Sequence, residues 1–174
     1  MASSLETSPD PQLGRWKTGH RILHGYLIVM VTILDEMVNY VSYETERRVS
    51  SALLELTTLN IASTASMRYA TSFSIEAYEQ VIRPSMMPPA TRAGFSGALN
   101  TDHRRMLEGM DALSSELDKR FGHSQTIWPP DVLAAWEALL RARREVHRNH
   151  GLVCRQFVDG PSLLRLHRVR DDNS

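Results

Sequence analysis

The chain of 174 residues has a single cysteine, so no internal disulfide framework can form and a zinc site built from paired cysteines is excluded. Charge of one sign is missing as well. Lysine plus arginine and aspartate plus glutamate both number 20, and that balance argues against a nucleic-acid partner. No apolar run is expected to span a membrane. The most apolar, Ile22 to Leu34, covers about half to two-thirds of one, contains His24 and Thr32, and stops at Asp35-Glu36. The N-terminus lacks the basic start and apolar core of an export signal, so the expected setting is cytoplasmic, with no membrane partner and residues 1–15 as a flexible tail. Sustained two-residue alternation is absent too, which leaves no case for a sheet.

What is present is helical periodicity. Hydrophobic residues at 42% against 23% charged describe an ordinary globular chain, and the length suits one domain over 1–174. Helices are expected from Gly19 to Tyr43, from Ser50 or Ser51 to Ala70, from Ser74 to Ile82, from Ala98 to Phe121, and onward from Trp128-Pro129-Pro130-Asp131. Arg83-Pro84 should stop the short one. The fold class is therefore all-α, a helical bundle of four long helices plus short helices. The Gly19–Tyr43 helix is apolar over so wide an arc that it should be central. It should be covered by other helices or by a second copy, a homo-oligomer with a dimer favoured.

The chemistry-bearing residues gather late in the chain. His147, His150 and Cys154 stand at i, i+3 and i+7, so they share one helical face, with Trp136, Leu140, Val146, Val153 and Phe157 on or beside it. One reading makes Cys154 a small buried hydrophobe beside a hydrogen-bonded core histidine. The other makes the pair a haem site, with His150 on the iron and Cys154 at the porphyrin edge. The usual two-cysteine haem signature is absent, so covalent attachment would be a single thioether. Among the neighbouring arginines, which include Arg155, one or two suit haem propionates; a solvated face explains the rest.

Two more histidines qualify. His24, one turn after His20, is either a satisfied core residue or a proton-transfer group facing a cofactor. His103 follows the Gly94-Phe95-Ser96-Gly97 turn together with Asn100 and Asp102. These residues suit either a pocket rim, where Phe95, Ser96, Asn100 and His103 would meet a substrate carboxylate, or plain helix capping.

With these pieces in order, the chain resembles the histidine-ligated haem-dependent aromatic oxygenases, the superfamily of tryptophan dioxygenase. His24 resembles its distal histidine, Tyr78 to Gly97 its substrate-side loop, and Arg143 to Arg155 its proximal-ligand helix. The His150-Gly-Leu-Val-Cys154 pair resembles the single-thioether motif of bacterial haem-dependent L-tyrosine hydroxylases. The resemblance implies haem, with His150 as metal ligand and His147, Cys154 and Arg155 beside it. It also implies His24 and His103 as catalytic groups, and hydrogen peroxide hydroxylating a small aromatic amino acid, L-tyrosine or a derivative, ortho to its phenol. Asp159-Gly160-Pro161-Ser162 stands where tryptophan dioxygenase carries a glycine- and threonine-rich loop, which argues against ring cleavage of tryptophan. Two alternatives stay open: an indole or tryptophan oxygenase using molecular oxygen, and a non-catalytic haem-binding or helical interaction protein.

Overall fold

The computed structural model describes residues 10–87, 89–90 and 100–157. Four long helices carry the fold: α1 (Pro11–Tyr40), α2 (Glu46–Ala70), α4 (Thr101–Phe121) and α5 (Pro130–Phe157). A short helical segment, α3, spans 75–85 between α2 and α4. Among the described residues there is no strand, as the lack of alternation required.

Side-chain oxygens set the starts of these helices. Asp10 Oδ1 accepts from the Gln12 and Leu13 amides at 2.7 and 3.4 Å, with Pro11 at the first helical position. Thr45 accepts from Arg48 N at 3.2 Å, and Ser74 from Ala77 N at 3.1 Å. At the other end of α1, the Arg120 guanidinium of α4 donates to the carbonyls of Val41 and Glu44, a cation on the negative end of a helix.

The core draws one leucine from each long helix. Leu34, Leu53, Leu113 and Leu139 are at most 1% exposed. Burying each contributes roughly 2 kcal/mol before cavity effects. Trp128 closes the bundle at the α4–α5 connection, 4% exposed, its indole N–H donating to the Gly122 carbonyl at 2.8 Å. Gly122 has φ of 93°, a left-handed conformation that glycine adopts without strain. Where α1 meets the end of α2 the backbones nearly touch. A Cβ on Gly19 would lie 2.4 Å from that of Ala70, and Ser66 donates to the Gly19 carbonyl at 2.8 Å. At this contact the small residues Ser66 and Ala70 of α2 thus serve close helix approach.

Three expectations need correction. Helix α1 begins at Pro11, inside the stretch expected to be a tail, because the Asp10-Pro11 cap starts it ahead of any apolar stripe. Helix α1 packs on α2, α3 and α4, yet Ile22, Ile28 and Val29 stay 40–49% exposed, so the other described helices do not cover its whole arc. Pro84 does not end the short helix. Tyr78–Ile82 forms a π turn, with Arg83 N bonded to the Tyr78 carbonyl, and α3 runs on to Ser85. The wider turn redirects the carbonyls that a proline ring would otherwise meet.

Candidate functional site

The antiparallel run of the long helices brings the first half of α1, the end of α2, the start of α4 and the end of α5 to one end of the bundle. The candidate residues meet there. Asn100 Oδ1 accepts from the His103 amide at 3.1 Å, so Asn100 caps α4 and fixes where His103 leaves the first turn. Asp102 lies beside it, its Oδ2 3.7 Å from His24 Nε2 on α1. His24 itself is exposed on the bundle surface.

On α5 the rotation differs from the expected one. His147 and His150 are exposed and Cys154 is half-buried, whereas the buried line runs through Ala142, Asn149 and Phe157. A polar residue at the centre of the buried face displaced the apparent apolar arc. Asn149 is 7% exposed, and Arg68 of α2 donates to its Oδ1 from Nη2 at 3.0 Å and Nε at 3.3 Å. Its amide donates to the Glu145 carbonyl and to Glu145 Oε1, both at 2.8 Å, and Arg148 pairs with the same carboxylate. This network fixes α5 against α2, with His147, His150 and Cys154 on the shoulder of the interface.

The shoulder faces α4. Loss of hydration pulls the half-buried His103 below the ordinary imidazole value, and the neighbouring His147 and His150 pull it further. His150 is lowered by the same loss of hydration and by His147. Two imidazoles from two helices are therefore kept neutral, each offering a lone pair. Cys154 Sγ sits 3.9 Å from both ring nitrogens of His150. Partial burial holds its thiol protonated above the usual range, opposed by Arg155.

Tyr78, named from the sequence only as the edge of the substrate-side stretch and with no role of its own, completes the arrangement. Tyr78, at the head of the π turn, packs its ring 5.2 Å from Phe157 and, stacked, 6.2 Å from Phe73. Burial raises its phenol pKa, Arg83 opposes the rise, and Glu79 and Cys154 add to it, so α3 faces the α5 thiol. No spacing rule points to a lone tyrosine, although a π turn in a short helix is a recurrent mark of functional sites. Phe95 and Ser96 lie outside the described residues. Arg155 is exposed beside Cys154. An open groove of about 370 Å³ between α2 and α5, lined by Ile61, Thr64, Ala65, Arg68, Ala142 and Glu145, includes none of the histidines or Cys154.

The chain matches the family model described as SfmD 3-methyl-L-tyrosine peroxygenase over residues 2–146. The match ends one residue before His147, so it carries His24 and His103 and leaves His147, His150 and Cys154 beyond its edge. Neither a curated relative nor a solved structure matches.

Proposed function

The chain belongs to the 3-methyl-L-tyrosine peroxygenase family, and from that premise we propose that it binds haem through His150 and Cys154 and hydroxylates tyrosine or a tyrosine derivative ortho to the phenol with hydrogen peroxide. It is an oxidoreductase of aromatic amino-acid chemistry, in natural-product biosynthesis. The observation that carries the haem assignment is the His150–Cys154 pair on α5, with Sγ 3.9 Å from both ring nitrogens. The wider kinship with tryptophan dioxygenase belongs to the same reading; the all-helical bundle and the order of His24, the α3 segment and α5 support it.

The donor set fits the group. Among the described residues no three His, Cys, Asp or Glu side chains could hold a bare metal ion, but a haem, whose iron is held by its own porphyrin, would need only one imidazole from the chain. His150 presents that nitrogen unprotonated. Cys154, one turn on and close to the same ring, would form a thioether with the porphyrin edge, while His147 would flank it and Arg155 would offer a cation to a propionate. When bound, the haem supplies the redox chemistry that moves one peroxide oxygen to the ring.

The remaining work falls to side chains. His103, neutral at pH 7, takes a proton from hydrogen peroxide on a ring nitrogen and returns it to the oxygen that leaves as water. The balance is one peroxide and one ring C–H giving one phenol O–H and one water. The His24–Asp102 pair stands behind His103, and Tyr78 offers a hydroxyl and ring face on the Cys154 side. Asn100 holds the start of α4. The test is a purified, haem-supplemented protein given 3-methyl-L-tyrosine, tyrosine or tryptophan, each with peroxide or with oxygen plus reductant. A Soret band and a catechol formed from the tyrosines with peroxide are expected. Turnover of tryptophan alone, with oxygen, would overturn the reading.

A further inference from the structure

We propose that a second copy of this chain packs antiparallel along the outer face of α1. The helix contains an 18-residue stretch apolar enough for a membrane span, yet only 28% of it is buried in the single chain. The uncovered part includes Ile22, Ile28 and Val29, at 40%, 49% and 47% exposure. Gly25 lies on the same outward face. A Cβ there would meet nothing within 4 Å, so nothing described in its own chain explains a residue that weakens a helix interior relative to alanine. A second backbone approaching closely does explain it.

The charges select the occupant and its direction. Arg21 and Glu36 bracket the apolar stretch on the outward side, and among the described residues neither has an ion-pair partner. The midpoint between positions 21 and 36 falls between Ile28 and Val29, the two exposed aliphatic residues. A two-fold axis at that point sets Arg21 of each copy against Glu36 of the other. It also stacks Ile28 and Val29 at the centre and places Gly25 opposite Thr32, small against small. A parallel pairing would instead set like charges together. A bilayer fits less well, because the 18-residue stretch would extend about 27 Å at ~1.5 Å per residue, short of a hydrocarbon core of roughly 30 Å, and Arg21, Asp35 and Glu36 closely bracket the apolar residues.

Sedimentation velocity of the full chain over a concentration series tests this independently of the haem reading. Wild type should give twice 19.7 kDa. Arg21→Glu or Glu36→Arg alone should weaken dimerisation by about tenfold or more through like-charge contact, and the double swap should restore it. Gly25→Leu, which has open space in its own chain, should fold normally and dimerise poorly. A wild type that is monomeric throughout, a dimer indifferent to all three single substitutions, or a double swap no better than either single would each overturn the proposal. So would a monomer that floats with phosphatidylcholine vesicles, which would assign the face to lipid.

Discussion

Arg68 on α2 gives two N–H donors to one oxygen, Oδ1 of Asn149 on α5, at 3.0 and 3.3 Å, and Asn149 directly precedes His150 in the chain. The most buried polar side chain of α5 is therefore what sets the direction of the candidate iron ligand. Asn149→Leu should cost about 1–3 kcal/mol, because it strips both the arginine and Glu145 of their partner at a buried position. Arg68→Met leaves the bonds of Asn149 to Glu145 intact and should cost about 1 kcal/mol or less. Urea denaturation of the two variants checks the order. A shifted Soret maximum in haem-loaded Asn149→Leu, without loss of haem, would register the rotated imidazole.

The Gly19–Ala70 contact makes a second, sharper prediction. Gly19→Ala places a methyl 2.4 Å from another Cβ attached to rigid helix backbone, so overpacking should destabilise by about 1–3 kcal/mol. Gly14→Ala is the control. It lies in the same helix with nothing within 4 Å, and higher helix propensity should stabilise it by about 0.5–1 kcal/mol. Opposite signs in thermal denaturation are the expected result.

Most of the bundle was legible because its helices bury leucine, methionine and valine at helical period, and the caps at Ser74 and Asn100 are readable in the residues themselves. The start of α1 was not, since Asp10-Pro11 works through a cap and a fixed φ before any apolar stripe exists. Pro84 misled because a π turn, invisible to periodicity, lets the helix pass through it. At the site, His103, His150 and Cys154 could be picked out by chemistry. Their burial could not, because Asn149, counted as polar, holds the centre of the face that α5 buries. Tyr78 was named only as the edge of the substrate-side stretch, because its role depends on α3 folding back towards Cys154.

Acid should act on the fold through His103. Its folded pKa lies below the ordinary value of 6.5, so between the two values the unfolded chain binds more protons than the native one. Stability is then complete above pH 6.5 and falls as the pH drops towards the folded value. In haem-free protein, His103→Gln should flatten this slope between pH 7 and about 5 in a denaturation series. An unchanged slope would mean that the imidazole is as free in the folded chain as in the unfolded one.

The proximal pair predicts two separable spectra. His150→Ala should lose the native Soret band, because no other imidazole on α5 shares its relation to Cys154. Cys154→Ala should keep a band but release its haem into acidified organic solvent, whereas wild type retains it. Haem that stays covalently bound in Cys154→Ala would place the attachment elsewhere, and an unaltered spectrum in His150→Ala would move the ligand to His147.

The two remaining histidines differ in what surrounds them, and that difference ranks them. His103 is half-buried, neutralised by lost hydration, and electrostatically coupled to both α5 imidazoles. His24 is 49% exposed at its side chain and, among the described residues, its one ion-pair contact is with Asp102, at 3.7 Å. A proton-transfer group must be unprotonated at working pH, and His103, lowered by lost hydration and beside the α5 imidazoles, is the better candidate on that count. His103→Gln should therefore retain haem and substrate affinity while slowing peroxide-driven turnover by about a hundredfold to ten-thousandfold, the usual worth of general acid–base assistance. His24→Gln leaves an amide beside Asp102 and should slow turnover less than about tenfold, well below that range. Rapid mixing of each variant with peroxide, followed by titration with 3-methyl-L-tyrosine, separates chemistry from binding. The reverse order of effects would transfer the proton-handling role to the His24–Asp102 pair and leave His103 with substrate placement.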